Sequence, residues 1–93
     1  MLYVAITEKL GKKERDKIQK NYKKILDHIK VKRIEAALVS AFVIDFDVKD
    51  QWKRIQSERD VADEFVRILL AGTVEQCQKA KEVLKADDQW RIP

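Results

Sequence analysis

Two glycines and one proline among 93 residues, the proline in last place, leave little material for tight turns. Sandwiches and barrels draw on Gly, Pro and Asn at every reversal, so this shortage argues against an all-β architecture. A single cysteine, Cys77, rules out an intrachain disulfide and a zinc site of four Cys and His ligands. One histidine, His28, and that one thiol fall on separate predicted helices with no third group to orient them. A Cys–His nucleophile therefore has no support, and we expect His28 at the surface and Cys77 packed as a small apolar residue. No glycine-rich phosphate cradle is present, and no carboxylate is framed by an apolar pocket as a general acid requires. Asp45, Asp47 and Asp50 form D-x-D-x-x-D, but the glycine and terminal Glu of a calcium loop are missing. We expect no metal, no cofactor and no enzymatic activity. No window approaches the roughly 20 apolar residues of a membrane span. The opening MLYVAI is too short for a signal-peptide core and has no basic region before it. A cytoplasmic protein with no membrane partner is the expectation.

What the chain does hold is apolar residues at 45% and charged residues at 39%, the composition of one small domain with a heavily charged exterior. Apolar spacing predicts a succession of helices. Leu2, Ile6 and Leu10 make a weak amphipathic turn or a short extended segment, ending near Gly11. From about Lys12 to Ile29, Ile18, Tyr22, Ile25 and Ile29 repeat at the 4-3-4 spacing of a core-facing helix, with Lys13, Lys20, Lys24 and Asp27 opposite. A second helix, from about Lys32 to Phe42, turns Ile34, Leu38 and Ala41 inward. Asp45 or Asp47 can cap a third, about Val48 to Gln56, that buries Val48, Trp52 and Ile55.

Ser57 with Asp60 resembles a capping box before a fourth helix over Glu58 to Ala71, carrying Val61, Phe65, Ile68 and Leu69. Gly72 offers a left-handed stop. Thr73 caps a fifth helix, Val74 to Ala86, with Val74, Cys77, Ala80 and Leu84 inward. The closing DDQWRIP can add a turn that returns Trp90 and Ile92 to the core. The expected fold is all-α, a compact antiparallel bundle of five to six helices forming one domain.

Charge is unevenly spread. Eleven Lys or Arg residues lie between Lys9 and Arg33, whereas acids outnumber bases between Asp45 and Glu64, in a chain of net charge +4. A domain basic on one side and acidic on another can pair with relatives of itself. The basic first helix could also bind nucleic acid through phosphates, but exposed aromatics for base stacking are not expected, and Trp52 and Trp90 read as core anchors.

The order of landmarks is more specific than any one of them. An aliphatic pair, Ile25-Leu26, is followed by a short hinge at Lys30-Val31 and then by Ile34, Glu35, Ala37 and Leu38. Val43-Ile44 precede an acidic turn, Trp52 stands three residues before Ile55, and Arg59 and Ala62 lead into Ile68 and Leu69. Over about Arg15 to Ile92 this succession resembles a caspase recruitment domain (CARD) of the death-fold superfamily. The acidic turn is longer than usual there, and Cys77 and Ala80 stand where a Phe pair is common. Residues 1–11 precede the usual start. Some members kink the first helix, and Gly11 lies too early to be that kink.

The resemblance implies a homotypic interaction module. Its partners would be other CARD-containing proteins, such as a caspase, adaptor or sensor, or the chain itself, in apoptotic or inflammatory signalling. On that basis the basic surface of the first and fourth helices is assigned to Lys13, Lys20, Lys24, Arg59 and Arg67. The acidic surface of the second and third helices and their junction is assigned to Glu35, Asp45, Asp47 and Asp50.

Overall fold

The computed structural model describes residues 9–89; the turns expected at residues 2–8 and at Trp90 and Ile92 lie outside the described residues. Among the described residues six α-helices and one 3-10 turn follow one another: α1 (Lys12–Lys20), α2 (Tyr22–His28), the 3-10 turn Val31–Ile34, α3 (Glu35–Ser40), α4 (Phe46–Lys53), α5 (Glu58–Ala71) and α6 (Val74–Ala86). The fold is all-α, as composition and periodicity require.

The long first helix is broken in two. The backbone N–H of Asn21 is shared between the carbonyls of Lys17 (3.3 Å) and Ile18 (3.2 Å), and its side-chain amide donates to the Lys17 carbonyl at 2.8 Å. An Asn side chain that competes for backbone acceptors is a recognised way to interrupt a helix. The break resets the apolar stripe. Ile18, Ile25 and Ile29 are buried as expected, but Tyr22 is turned to the surface, where its hydroxyl donates to Asp63 on α5.

The central element is α5. Its stripe is wider than expected, because Ala62 and Val66 are buried beside Val61, Phe65 and Leu69. It packs against α1, α2 and the 3-10 turn, while α3 packs against α4 and α6. Trp52 of α4 meets Phe65 edge to face at 6.4 Å between ring centroids, and both are fully buried. Leu10 joins the same core, and Lys9 ahead of it bridges to Thr73 and donates to the Ala71 carbonyl at 3.0 Å.

Helix ends show how the connections stay short with so little glycine. Asp45 caps α4, accepting from the Val48 N–H at 2.9 Å. Thr73 and Gln76 complete a full capping box on α6. Gly72 does not adopt a left-handed conformation: its φ is −88°. It is glycine because a Cβ would stand 2.6 Å from the Gln76 side-chain oxygen, the acceptor of the Thr73 N–H. The left-handed positions belong instead to Phe42 (φ 62°) and Asp88 (φ 57°). At Phe42 the pattern is a Schellman motif: Phe42 N–H donates to Val39 and Val43 N–H to Leu38, at 3.0 and 2.9 Å. Asp88 and Gln89 repeat it on Lys85 and Leu84, at 3.0 and 2.8 Å.

Candidate interaction surfaces

The residues nominated as a basic surface fall on three helices that pack together, α1, α2 and α5. Lys13, Lys20 and Lys24 are exposed. Arg59 and Arg67 are exposed as well, but each meets an acid of its own chain. Arg59 pairs with Asp27 of α2, and Arg67 pairs with Asp63 one turn earlier on α5, at 3.0 Å. Asp63 also accepts from the Tyr22 hydroxyl. That bond, together with the one from Arg67, holds the Asp63 carboxyl below its usual range, and the same contact pushes the Tyr22 phenol up. Two lines of polar contacts thus join α2 to α5: Asp27–Arg59 and Tyr22–Asp63–Arg67.

The nominated acids separate into two kinds. Asp45, Asp47 and Asp50 are exposed along α4 and its cap, Asp50 facing Lys53 of the same helix at 3.9 Å. Glu35 opens α3, is only half-exposed, and keeps one carboxylate oxygen buried without a hydrogen-bond partner. It is the least accessible of the four. Since α4 packs on α3 while α1 and α2 pack on α5, the exposed acids and the exposed lysines sit on different parts of the bundle.

Two features escaped the sequence pattern. The first is a pair of exposed aromatics, Phe42 (80% exposed) and Phe46 (70% exposed), at the α3–α4 corner beside Asp45 and Asp47. Exposed aromatics therefore do exist, contrary to expectation, but they accompany acids rather than the lysine-rich face. Their signal lay in the residues after Ser40: no glycine is available to close α3, so a bulky residue takes the left-handed place. The second feature is a shallow groove of about 480 Å³ between α3 and α6. Its floor is Ile34, Ala37, Ala41, Val83 and Ala86, and the Arg33–Asp87 pair (3.4 Å) crosses one end. The Lys79 ammonium lies 5.7 Å from the Phe42 ring at the other end.

Beyond the Arg33–Asp87 pair the surface continues into a polar depression of about 710 Å³ lined by Lys24, His28, Lys30, Asp88 and Gln89. Gln89 forms its wall by pairing with both backbone groups of Lys30: its side-chain oxygen accepts from the N–H, and its amide donates to the carbonyl at 3.1 Å. His28 is exposed and Cys77 buried, as expected, and burial pushes the Cys77 thiol up.

Among the described residues no group of three or more His, Cys, Asp or Glu side chains is arranged to hold a metal ion. No helix among them is long and apolar enough to cross a membrane. Comparison with family models, with curated proteins and with solved structures finds no match for this chain.

Proposed function

We propose that this chain is a homotypic protein–protein interaction module of the caspase recruitment kind. Its exposed lysine face (Lys13, Lys20 and Lys24, with Arg59 and Arg67) would receive the acidic corner (Asp45, Asp47 and Asp50, with Glu35 at its margin) of a like domain. The observation that carries this is the division of charge over the bundle. On α1 and α2, which rest on α5, exposed bases (Lys12, Lys13, Lys17, Lys20, Lys23 and Lys24) outnumber the exposed acids Asp16 and Asp27, whereas on α4 and its caps, resting on α3, the exposed acids Asp45, Asp47 and Asp50 outnumber Lys53 and Arg54. A first helix interrupted at Asn21 supports the same reading, since a kinked first helix occurs in that family. Different patches on one module give a head-to-tail contact, which extends into an open helical oligomer rather than closing. Cytoplasmic signalling toward apoptosis or inflammation follows from the family resemblance.

Size-exclusion chromatography with light scattering tests it on wild type, Lys20→Glu and Asp47→Lys. Charge-dependent assembly that each variant abolishes, and that mixing the two variants restores as a pair, supports the proposal. Monomers that are unchanged by either substitution yet shift a DNA fragment at low salt would replace it with phosphate-driven nucleic-acid binding.

A further inference from the structure

We propose that the α3–α6 groove is a self-complementary docking face that pairs two copies of this chain about a two-fold axis. The inference uses a face that the head-to-tail contact leaves open and stands whether or not that contact forms.

Three observations converge on this face. First, Phe42 holds a left-handed backbone, which costs a side chain with a Cβ more than glycine, and yet leaves its ring 80% exposed. A bulky residue at the position where helices usually place glycine needs a use for its ring, and among the described residues of one copy Lys79 is the one that meets it as a ring contact. Second, the groove beside it is floored by small side chains: Ala37, Ala41 and Ala86 leave room for an incoming ring to approach the helix backbones. Third, the face is polar end to end. Phe42 and Phe46 with Asp45 and Asp47 form one end, partly offset by Lys79, and Lys24, Lys30 and Arg33 with His28 form the other, partly offset by Asp87 and Asp88.

A face with an acidic aromatic end, an apolar middle and a basic end complements itself when a second copy is laid on it antiparallel. Isologous pairing of this sort matches each end with its opposite at once and closes at two. In that arrangement Phe42 of each copy lies over the groove near Arg33 of the other, where a guanidinium plane stacks on an aromatic ring. Asp45 and Asp47 face Lys24 and Lys30, and the alanines meet near the axis. A membrane surface fits less well, because Asp45 and Asp47 flank the exposed rings and would be driven from anionic headgroups.

The test uses the whole chain in sedimentation velocity from about 1 µM to 1 mM, the span in which weak pairs dissociate. In the Lys20→Glu variant, which lacks the head-to-tail contact, the expected result is a monomer–dimer equilibrium that stops at two. Ala37→Glu sets like charges against each other at the axis and should weaken the pair at least about tenfold. Ala37 is exposed on a helix, and Glu is a good helix former, so folding is preserved; far-UV circular dichroism verifies it. Phe42→Gly should weaken the pair comparably, whereas Lys20→Glu should leave it intact. Absence of a dimer over the whole range, or a dimer indifferent to Ala37→Glu, overturns the inference. Species larger than two that disappear with Lys20→Glu belong to the head-to-tail contact; if no dimer sensitive to Ala37→Glu is left in that variant, the inference is overturned.

Discussion

Replacing Phe42 by glycine and, separately, by alanine isolates the backbone conformation from the aromatic ring. Both variants lose the same contacts: the small buried part of a ring that is 80% exposed, and the Lys79 ammonium 5.7 Å from its centroid. They differ only in what a Cβ costs at φ 62°. A left-handed conformation costs an L-residue about 1–2 kcal/mol, and glycine gives back roughly 0.4–1 kcal/mol because its unfolded chain is freer. The glycine variant should therefore be the more stable of the two by about 0.5–1 kcal/mol, which for a domain of this size is roughly 3–6 °C in melting temperature. The order is opposite to that within a helix, where alanine exceeds glycine by about 1 kcal/mol. Ala36→Gly, at an exposed position in the first turn of α3, supplies that contrast in the same background. Urea titration at low protein concentration, with equal slopes for both variants, gives the difference directly. An alanine variant as stable as the glycine variant would show that residue 42 is not left-handed in solution. It would also remove the strain on which the case for an exposed, purposeful Phe42 is built.

Glu14 of α1 accepts from Lys81 of α6, a contact that holds its carboxyl below the ordinary value of 4.5. Because the folded value is depressed, the contact should stabilise fully above about pH 4.5 and fade as pH falls toward the folded value. Glu14→Gln should cost about 0.5–1 kcal/mol at pH 7 and nothing once the wild-type carboxyl is protonated; a urea gap of the same size at both ends would exclude this role. Gly72→Ala should displace the Gln76 amide from the Thr73 N–H and cost about 1–2 kcal/mol. In a Gln76→Ala background the same change should cost less, since the displaced group is gone; strict additivity in thermal melts would count against the close approach.

The helices of the C-terminal half were legible because their signals are local. Ser57 and Thr73 stand directly before α5 and α6, and the apolar residues behind them recur at helical spacing, so Glu58–Ala71 and Val74–Ala86 emerge with the expected limits. The first half was harder for a stated reason. Ile18, Tyr22, Ile25 and Ile29 carry one uninterrupted period, and nothing in that spacing reveals that Asn21 will share its backbone N–H between two carbonyls and reach one of them again through its side chain. The spacing consequently places Tyr22 in the core, and Val74, also expected inside, lies 40% exposed at the first turn of α6. Val31 was hidden by its place in a hinge, although it is fully buried. Of the candidate surface, the lysines and α4 acids were legible as charges on a helix face. The intramolecular partners of Arg59 and Arg67 were not, because Asp27 lies 32 residues from Arg59 and only the packing of α2 on α5 brings them together.

Those internal partners bear on how the basic face can work. An acid already seated on Arg59 lowers the charge the face presents at long range, so in the proposed docking an acidic partner would be attracted first by Lys13, Lys20 and Lys24. Once a partner has arrived the balance changes. Arg59, Asp27 and Arg67 are substantially exposed and Asp63 partly so, and ion pairs so open to water are worth only about 0.2–1 kcal/mol. Exchanging one carboxylate for another at that cost is easy, whereas an unpaired guanidinium would have to be desolvated with nothing to show for it. In the proposed docking Asp27 and Asp63, each holding its arginine through one contact, would give way to a partner's carboxylates, which could engage the guanidinium with two prongs. In the proposed docking the lysines would govern rate and the arginines fit, and only the second half would depend on how α2 is packed against α5.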